Sequence, residues 1–488
     1  MQLYDKDLLS MQEVRELVEA AKEAQKELAN MSQSQVDHIV RAIADAGVRN
    51  ARRLAEMAHE DTGFGKVEDK IIKNIFGSRG VYEYVKDMKT VGELERDEEK
   101  KVRTIAVPVG VIAGLVPSTN PTSTALYKAE IAIKAGNAIV FSPHPTALRC
   151  ISETVKVIRQ AISEAGGNEN LVSCITIPTM EATDNLMRHR DVAMILATGG
   201  SAMVRAAYSS GTPAIGVGPG NGPAYLEKTC DLPLAVKRIM DSKTFDNGTI
   251  CASEQSIICD EDMVPAVRAE MEKQGAYFLN ESEREKLGRY ILRANGTMNP
   301  EIVGRSVKTI ANLAGLEKVP ATARVLVAKE TGVGRGHPYS NEKLGPILAF
   351  YTAENYEKVC EKVCEILHYE GAGHTFSMHT NDDKMVDYFA RRVPASRVMV
   401  QHPQRPGRHR RHHRPPACPD PGLRRCGRLR HLGERGPHAP AQPAVCGLWP
   451  QGAGRDPRLR AGLLRRRLPH GSLSGEHRCG RHRPPDHR

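Results

Sequence analysis

The sequence predicts an α/β fold built on a doubly wound parallel sheet, and two observations carry that prediction. From Thr104 onward short apolar runs alternate with stretches of helical periodicity, and glycine-bearing turns follow the ends of those runs. Residues 11–60 come first and read as helical, with apolar residues at Val14, Leu17, Val18 and Ala21 and again at Val36, Ile39, Ile43 and Ala46. A strand over 105–116, a helix over 123–135, a strand over 138–141 and a helix over 146–164 follow. After them come a strand over 171–177, a short helix, a strand over 192–197, a helix over 202–209 and a strand over 213–217. Short strands joined by helices require right-handed crossovers, and such sheets bind ligands beyond the C-terminal ends of their strands.

At 488 residues the chain is long enough for two or three domains with real cores. Its eleven cysteines show no regular spacing, and with no secretory leader and no apolar run able to span a bilayer, a reduced, cytoplasmic compartment is expected. Cys360 and Cys364 lie four apart and read as one face of a packed helix, since no second ligand pair follows to make a metal site. The formal charge of +11 points towards nucleic acid, but its distribution points away. Residues 402–488 hold 20 Arg, no Lys and 5 acidic residues, a net +15, which leaves the preceding 401 residues at −4.

That terminal segment follows a different grammar. After Val400 the chain is rich in Arg, Pro, Gly, His and Leu, and residues 402–488 contain no Lys, Ile, Met, Phe, Tyr, Asn or Thr. The missing types mostly have AT-leaning codons and the abundant ones GC-rich codons, the pattern of a GC-rich gene read in the wrong frame. Plausible GC-rich codons shifted by one nucleotide return glycine loops and, near the end, an amphipathic NIDVAAIVRR. Residues 401–488 are therefore expected to be an aberrant, disordered tail without a core. A basic nucleic-acid-binding arm would mix Lys with Arg, and a metal segment would show paired Cys or His at fixed spacing.

Three stretches of the body carry candidate chemistry. In Phe245-Asp-Asn-Gly-Thr-Ile-Cys-Ala-Ser253 a thiol, Cys251, follows a polar, glycine-containing turn and is open to a substrate, although most lone cysteines are packed and inert. In residues 192–203 an apolar strand passes through Thr198, Gly199, Gly200 and Ser201 into a helix, where free amides and the helix dipole suit a phosphate as readily as the glycines suit a tight turn. Gly216-Val-Gly-Pro-Gly-Asn-Gly222 misses the spacing G-x-G-x-x-G, because Asn221 fills the last place.

Together with Gly114-Leu-Val-Pro-Ser-Thr-Asn-Pro121, His337-Pro-Tyr-Ser-Asn-Glu-Lys-Leu-Gly-Pro346 and Gly371-Ala-Gly-His-Thr375, these stretches stand in the order found in aldehyde dehydrogenases. From about Ser10 to about Val400 the chain resembles that superfamily, and most closely its coenzyme-A-acylating branch. The resemblance implies two doubly wound α/β domains, NAD-binding over 1–228 and catalytic over 229–400, with an oligomerisation hairpin near 90–108. It makes Cys251 the nucleophile and Asn120 an oxyanion donor, with helix capping as a compatible second role for Asn120. His374 is implied as an aid to proton movement or as a loop-fixing residue. For the dinucleotide it implies Pro117, Thr198, Gly199, Gly200, Ser201, Gly218, Pro219, Gly220 and Glu342. Where many relatives place a lysine beside the adenine ribose this chain reads Phe141-Ser-Pro-His-Pro145, so Ser142, Pro143 and His144 stand in its place; NAD is the expected cofactor, with NADP left open.

Hydrolytic members of that superfamily carry a glutamate that activates water against the acyl-enzyme, and at the corresponding place this chain reads Gly218-Pro-Gly-Asn221. Water needs a base, whereas the coenzyme A thiol ionises far more readily. The resemblance therefore implies aldehyde, CoA and NAD⁺ giving acyl-CoA and NADH, with acetaldehyde and propionaldehyde both open as substrates. Two alternatives accompany it: an acyl-phosphate reductase of the same fold, and an interaction module whose frame-shifted end resembles the peptides that address enzymes to a bacterial microcompartment shell. A homo-oligomer, impaired by the tail, is expected, with neither membrane nor nucleic acid as a partner.

Overall fold

In the computed structural model, residues 5–294, 296–400, 431–434 and 464–469 are described. The N-terminal helices form where caps and apolar spacing coincide. Helix Lys6–Leu28 starts at Asp5, whose carboxylate accepts from the Asp7 and Leu8 N–H groups, and it buries Val14, Val18, Ala21 and Leu28. Helix Gln33–Arg49 opens on a reciprocal Ser32–Gln35 capping box and buries Val36, Ile39, Val40 and Ile43. Helices Ala51–Thr62 and Val67–Ile75 follow, and the second runs through a wide π-turn, Phe76–Gly80, into Val81–Val85.

The single strand expected over 105–116 is two strands in different sheets. β1 (Gly92–Asp97) and β2 (Val102–Val107) make an antiparallel hairpin, and β3 (Val111–Val116) begins the first parallel sheet. Pro108 cannot donate to a ladder, and the amides of Val109 and Gly110 turn instead to Asn137 Oδ1, at 2.7 and 3.1 Å. β4 (Ala138–Pro143), β5 (Val172–Cys174), β6 (Val192–Thr198) and β7 (Ala214–Val217) complete a five-stranded sheet in the order β5-β4-β3-β6-β7, every neighbouring pair parallel. The order reverses direction between β3 and β6, so the ligand crevice of this unit opens past the ends of those two strands.

The second unit contains β8 (Gly222–Leu226), β9 (Glu254–Asp260), β10 (Ala276–Phe278), β11 (Val325–Lys329), β12 (Ile347–Ala353), β13 (Thr375–His379), β14 (Arg397–Val400) and β15 (His431–Glu434). They form one parallel sheet in the order β10-β11-β12-β9-β8-β13-β14-β15, with an apolar core on each face. Because β8 lies at the centre of this sheet, residues 222–228 lie in the second unit instead of the first, and the units join within 218–221. A run such as Pro-Ala-Tyr-Leu is apolar enough for either sheet, so local pattern did not separate the two. The terminal segment, expected to be without order, supplies β15 at the free edge of β14 and β16 (Leu464–Pro469) antiparallel to β2. Unpaired edges accept extended chain through main-chain bonds alone, whatever its composition. The rest of that segment lies outside the described residues. Among the described residues no helix is long and apolar enough to cross a membrane.

Candidate active site

Cys251 follows a turn with unusual backbone geometry. Asp246, Asn247 and Gly248 all lie in the left-handed region, with φ of 49°, 50° and 77°. Three such residues in a row are costly for most side chains, and Asp-Asn-Gly are the types that bear it best. At Gly248 a Cβ would also stand 2.6 Å from the Gly345 carbonyl oxygen. The Asp246 carboxylate holds the turn from within. It is fully buried and accepts from the Lys66 N–H at 2.7 Å, the Thr249 hydroxyl at 2.7 Å and the Lys70 ammonium at 3.0 Å, and also from Lys73. Burial works to raise its pKa, but the two lysines outweigh burial and keep it below the usual carboxylate range. Beyond this turn Cys251 sits half-buried just ahead of β9, in no disulfide.

Asn120 stands at the N-cap of helix Pro121–Lys134 but makes no side-chain cap bond, so the capping role open to it in the sequence is not used. Its Oδ1 accepts from the Lys73 ammonium at 2.7 Å, while its Nδ2 donates to the Thr119 hydroxyl at 3.2 Å. The same ammonium donates to the Thr249 carbonyl at 3.1 Å, two residues before the nucleophile. Asn120 and the cysteine turn, from different units, thus share one cation. Tyr127, one helix face further on, is buried and within electrostatic range of Cys251, and its hydroxyl lies 3.3 Å from Thr198 Oγ1. It ties helix Pro121–Lys134 to the glycine turn at the end of β6.

The loop between the units closes the other side. A Cβ on Gly220 would lie 1.7 Å from the Cys251 carbonyl oxygen and 3.1 Å from the His374 ring, so only glycine fits. The Gly220 N–H donates to Glu342 Oε1 at 2.8 Å, and Glu342 N–H to Glu370 at 2.6 Å. Burial, with Glu370 adding to it, pushes the Glu342 carboxyl up to about 7 against the opposing pull of the Gly220 amide and of Lys243 and Lys343. His374 is pushed down to about 3, first by burial and then by Arg397. Its tautomer follows from its neighbours. Arg397 donates twice to Thr375 Oγ1, at 2.8 and 3.3 Å, which leaves the threonine proton for His374 Nδ1 at 3.1 Å. His374 Nε2 then carries the hydrogen, and it is buried with no hydrogen-bond partner among the described residues.

At the crevice between β3 and β6, Pro117 follows the first strand and Thr198-Gly199-Gly200-Ser201 the second, with Gly200 capping helix Ser201–Ser209. A Cβ at Gly200 or at Gly218 would meet nothing within 4 Å, so the backbone there faces open space. Pro219 is half-buried beside them. Ser142 is buried, with its hydroxyl 2.9 Å from Thr183 Oγ1, and Pro143 is buried after it. His144 alone of that trio is exposed, its Nδ1 accepting from the Thr146 N–H at 3.2 Å. Of Ser142, Pro143 and His144, only His144 thus has its side chain open at the end of the sheet.

The sequence profile of the aldehyde dehydrogenase family matches residues 4–286. The chain belongs to the aldehyde dehydrogenase family. An acetylating aldehyde dehydrogenase from Geobacillus thermoglucosidasius is 51% identical and superposes with a TM-score of 0.79 over 82% of this chain and 88% of that one. A propionaldehyde dehydrogenase from Rhodopseudomonas palustris, solved with bound CoA and an acylated cysteine, is 29% identical with a TM-score of 0.71 over 79% and 87%. The bifunctional aldehyde-alcohol dehydrogenase of Escherichia coli K12 is 43% identical over 398 residues, 81% of this chain but 44% of that protein. The chain thus spans less than half the length of that curated relative.

In this member of the family the structure gathers Cys251, Gly220 and His374, links Asn120 to the cysteine turn through Lys73, and sets Thr198 to Ser201 at the end of β6. It also adds residues that the motifs did not single out: Lys70, Lys73, Asp246 and Tyr127. Asp246 lay inside a quoted motif, but Lys73 sits in Val-Glu-Asp-Lys-Ile-Ile-Lys-Asn-Ile, which reads as an ordinary surface helix. The helix is inverted, burying Lys70, Lys73 and Asn74 while Ile72 and Ile75 stay 40% and 39% exposed. That inversion between apolar and buried positions was the available signal, and it needs the fold to be seen.

Proposed function

We propose that this protein is a CoA-acylating aldehyde dehydrogenase that converts a small aldehyde, CoA and NAD⁺ into acyl-CoA and NADH. The observation that carries the reading is the backbone of Gly220 against Cys251. The loop 218–221 bears no carboxylate, and at Gly220 there is no room for any side chain. The acyl-enzyme therefore has no adjacent water-activating glutamate from that loop, and its thioester is left for a thiol.

In this reading the Cys251 thiolate attacks the aldehyde carbon, and the carbonyl π electrons move to oxygen. The Asn120 amide and the Cys251 N–H hold that oxyanion. The dinucleotide, when bound by Pro117, His144, Thr198 to Ser201, Gly218 and Pro219, supplies the hydride acceptor that makes the thiohemiacetal a thioester. Asn120 and the Cys251 amide then hold the thioester oxygen while the CoA thiolate adds to the carbonyl carbon, and Cys251 leaves as thiolate. His374, with hydrogen on Nε2, acts as a donor to an oxygen or sulfur at that step. Glu342, accepting from the Gly220 N–H, holds Gly220 against the Cys251 carbonyl. The acylated cysteine of the Rhodopseudomonas relative supports the covalent route.

The test is the dependence of turnover on the acceptor. With acetaldehyde and NAD⁺, one equivalent of NADH should form per site without CoA and continuous turnover should require CoA, while inorganic phosphate should not replace it. Cys251→Ala should abolish both phases. Steady NADH production with free acid as product and no CoA would overturn the reading. The hairpin of β1 and β2 is proposed as the oligomerisation element, and a cytoplasmic site, with microcompartment docking in the shifted frame, as the setting.

A further inference from the structure

We infer that Lys73 is the positioning residue of this site, seating the Asn120 amide for the oxyanion and balancing Cys251 as its thiolate. The inference rests on the assignment of Cys251 and Asn120 above, and three features of the structure carry it.

The first is directional. An ammonium has donors and no acceptor, so a bond from Lys73 Nζ can only be made to the Asn120 oxygen, and at 2.7 Å it is made. With Oδ1 committed to Lys73, the amide cannot flip, and Nδ2 points to the other side. Only in that orientation does Asn120 present a donor to an oxygen carrying negative charge. Thr119, which accepts from Nδ2 at 3.2 Å, reinforces the same setting.

The second is a count of buried charge. Lys70 and Lys73 are 3% and 4% exposed at their side chains and Asp246 is fully buried, so three ionisable groups share an interior with a net excess of one positive charge. The nearby Lys66 and Asp69, more exposed, add one charge of each sign and leave the excess unchanged. Cys251 acts electrostatically on Lys73 and on Tyr127, and its backbone packs on Gly220, which has the neutral His374 ring on its other side. A thiolate at Cys251 supplies the missing negative charge, whereas a thiol leaves the cation excess unmet. Burial, against the pull of Asp246, lowers Lys73 to about 8, and Cys251 is among the groups whose negative charge draws it back up.

The third is the inverted helix Val67–Ile75, which turns two lysines inward and two isoleucines outward. Exposed isoleucine and buried lysine are both unfavourable, so the arrangement stands only because Asp246, Asn120 and Thr249 engage the cations. The same contacts tie the two units together two residues before Cys251.

Lys73→Met and Lys73→Arg, each checked for a native melt, test the inference by two readouts. The first is the pH profile of Cys251 alkylation by iodoacetamide, followed by mass at that cysteine without dinucleotide. The second is kcat against KM for acetaldehyde. Lys73→Met should move the alkylation midpoint upward by about one pH unit and lower kcat by about a hundredfold with a smaller change in KM. Lys73→Arg should restore the alkylation profile while kcat stays depressed, because the longer fork does not seat the amide. If Lys73→Met fails to fold, Lys73→Arg alone decides, and wild-type kcat in that variant overturns the inference. An unchanged alkylation profile and kcat in folded Lys73→Met overturns it as well. Cys251→Ala separates the levels: residual activity there removes the underlying assignment, while its loss alongside unchanged Lys73 variants removes only this inference.

Discussion

His374 is where one residue's surroundings decide its chemistry. The ordinary imidazole gains its proton near pH 6.5, but burial and Arg397 bring His374 down to about 3, and the Thr375 hydroxyl fixes the neutral tautomer with hydrogen on Nε2. The folded state binds the proton less readily than the unfolded chain, so its contribution to stability is complete above about 6.5 and is lost as pH falls towards 3. In the range of assay, pH 5 to 8, the ring keeps one charge state. Single-turnover transfer of the acyl group to CoA, followed from pH 5 to 8 in wild type and in His374→Gln, should show no titration near 6.5 that belongs to this residue. A limb near 6.5 that vanishes in the variant would mean that His374 works as a titrating base. The residue's place in Gly-Ala-Gly-His-Thr was readable from the motif, but its direction of donation was not. That depends on Arg397, which lies 23 positions further on and shares the threonine.

Glu342 acts at the scale of elements, joining the segment ahead of β12 to the loop between the units by accepting from Gly220. Its carboxyl is raised from about 4.5 to about 7, so between those values the fold binds a proton that the unfolded chain releases. The sign is opposite to that of His374: the contribution is complete below about 4.5, falls as pH rises and is gone above about 7. Glu342→Gln, neutral at every pH, should therefore gain melting temperature relative to wild type between pH 5 and pH 7.5. Equal differences at the two pH values would show that Glu342 is ionised throughout. Elements like these divide cleanly in how well the sequence revealed them. The strand end expected at Ala197 and the helix start expected at Ala202 each fall one residue from those observed, because both signals are local, a short apolar run and a glycine pair. The break between β2 and β3 was missed because Val109 and Gly110 are satisfied by Asn137, on the far side of a helix. Lys73 was missed for the same kind of reason: its partner Asp246 lies 173 positions away, and nothing in a nine-residue helix announces that its lysines point inward.

At the scale of the molecule, the three large apolar clusters are built from residues between Val14 and Val400. The terminal segment meets that body through β15 on β14 and β16 on β2, both at sheet edges and both by main-chain pairing. In β16 the register places Arg465, Arg466 and Arg467 opposite Ala106, Ile105 and Thr104, and Pro469, which has no N–H to give, opposite Val102. With β16 paired to it, that edge of β2 is no longer open to a strand from a second copy. A gene restored to the shifted reading frame after Val400 replaces that run, and the two products make the contrast measurable. The chain with residues 401–488 as they stand should sediment as a monomer or a weak, salt-dependent oligomer, and removing those residues should leave its melting temperature within about two degrees, because the three apolar clusters of the described residues keep all their members. The frame-restored chain should sediment as a stable oligomer and melt well above both. Equal assembly by all three would show that β1 and β2 associate without any help from the terminal segment.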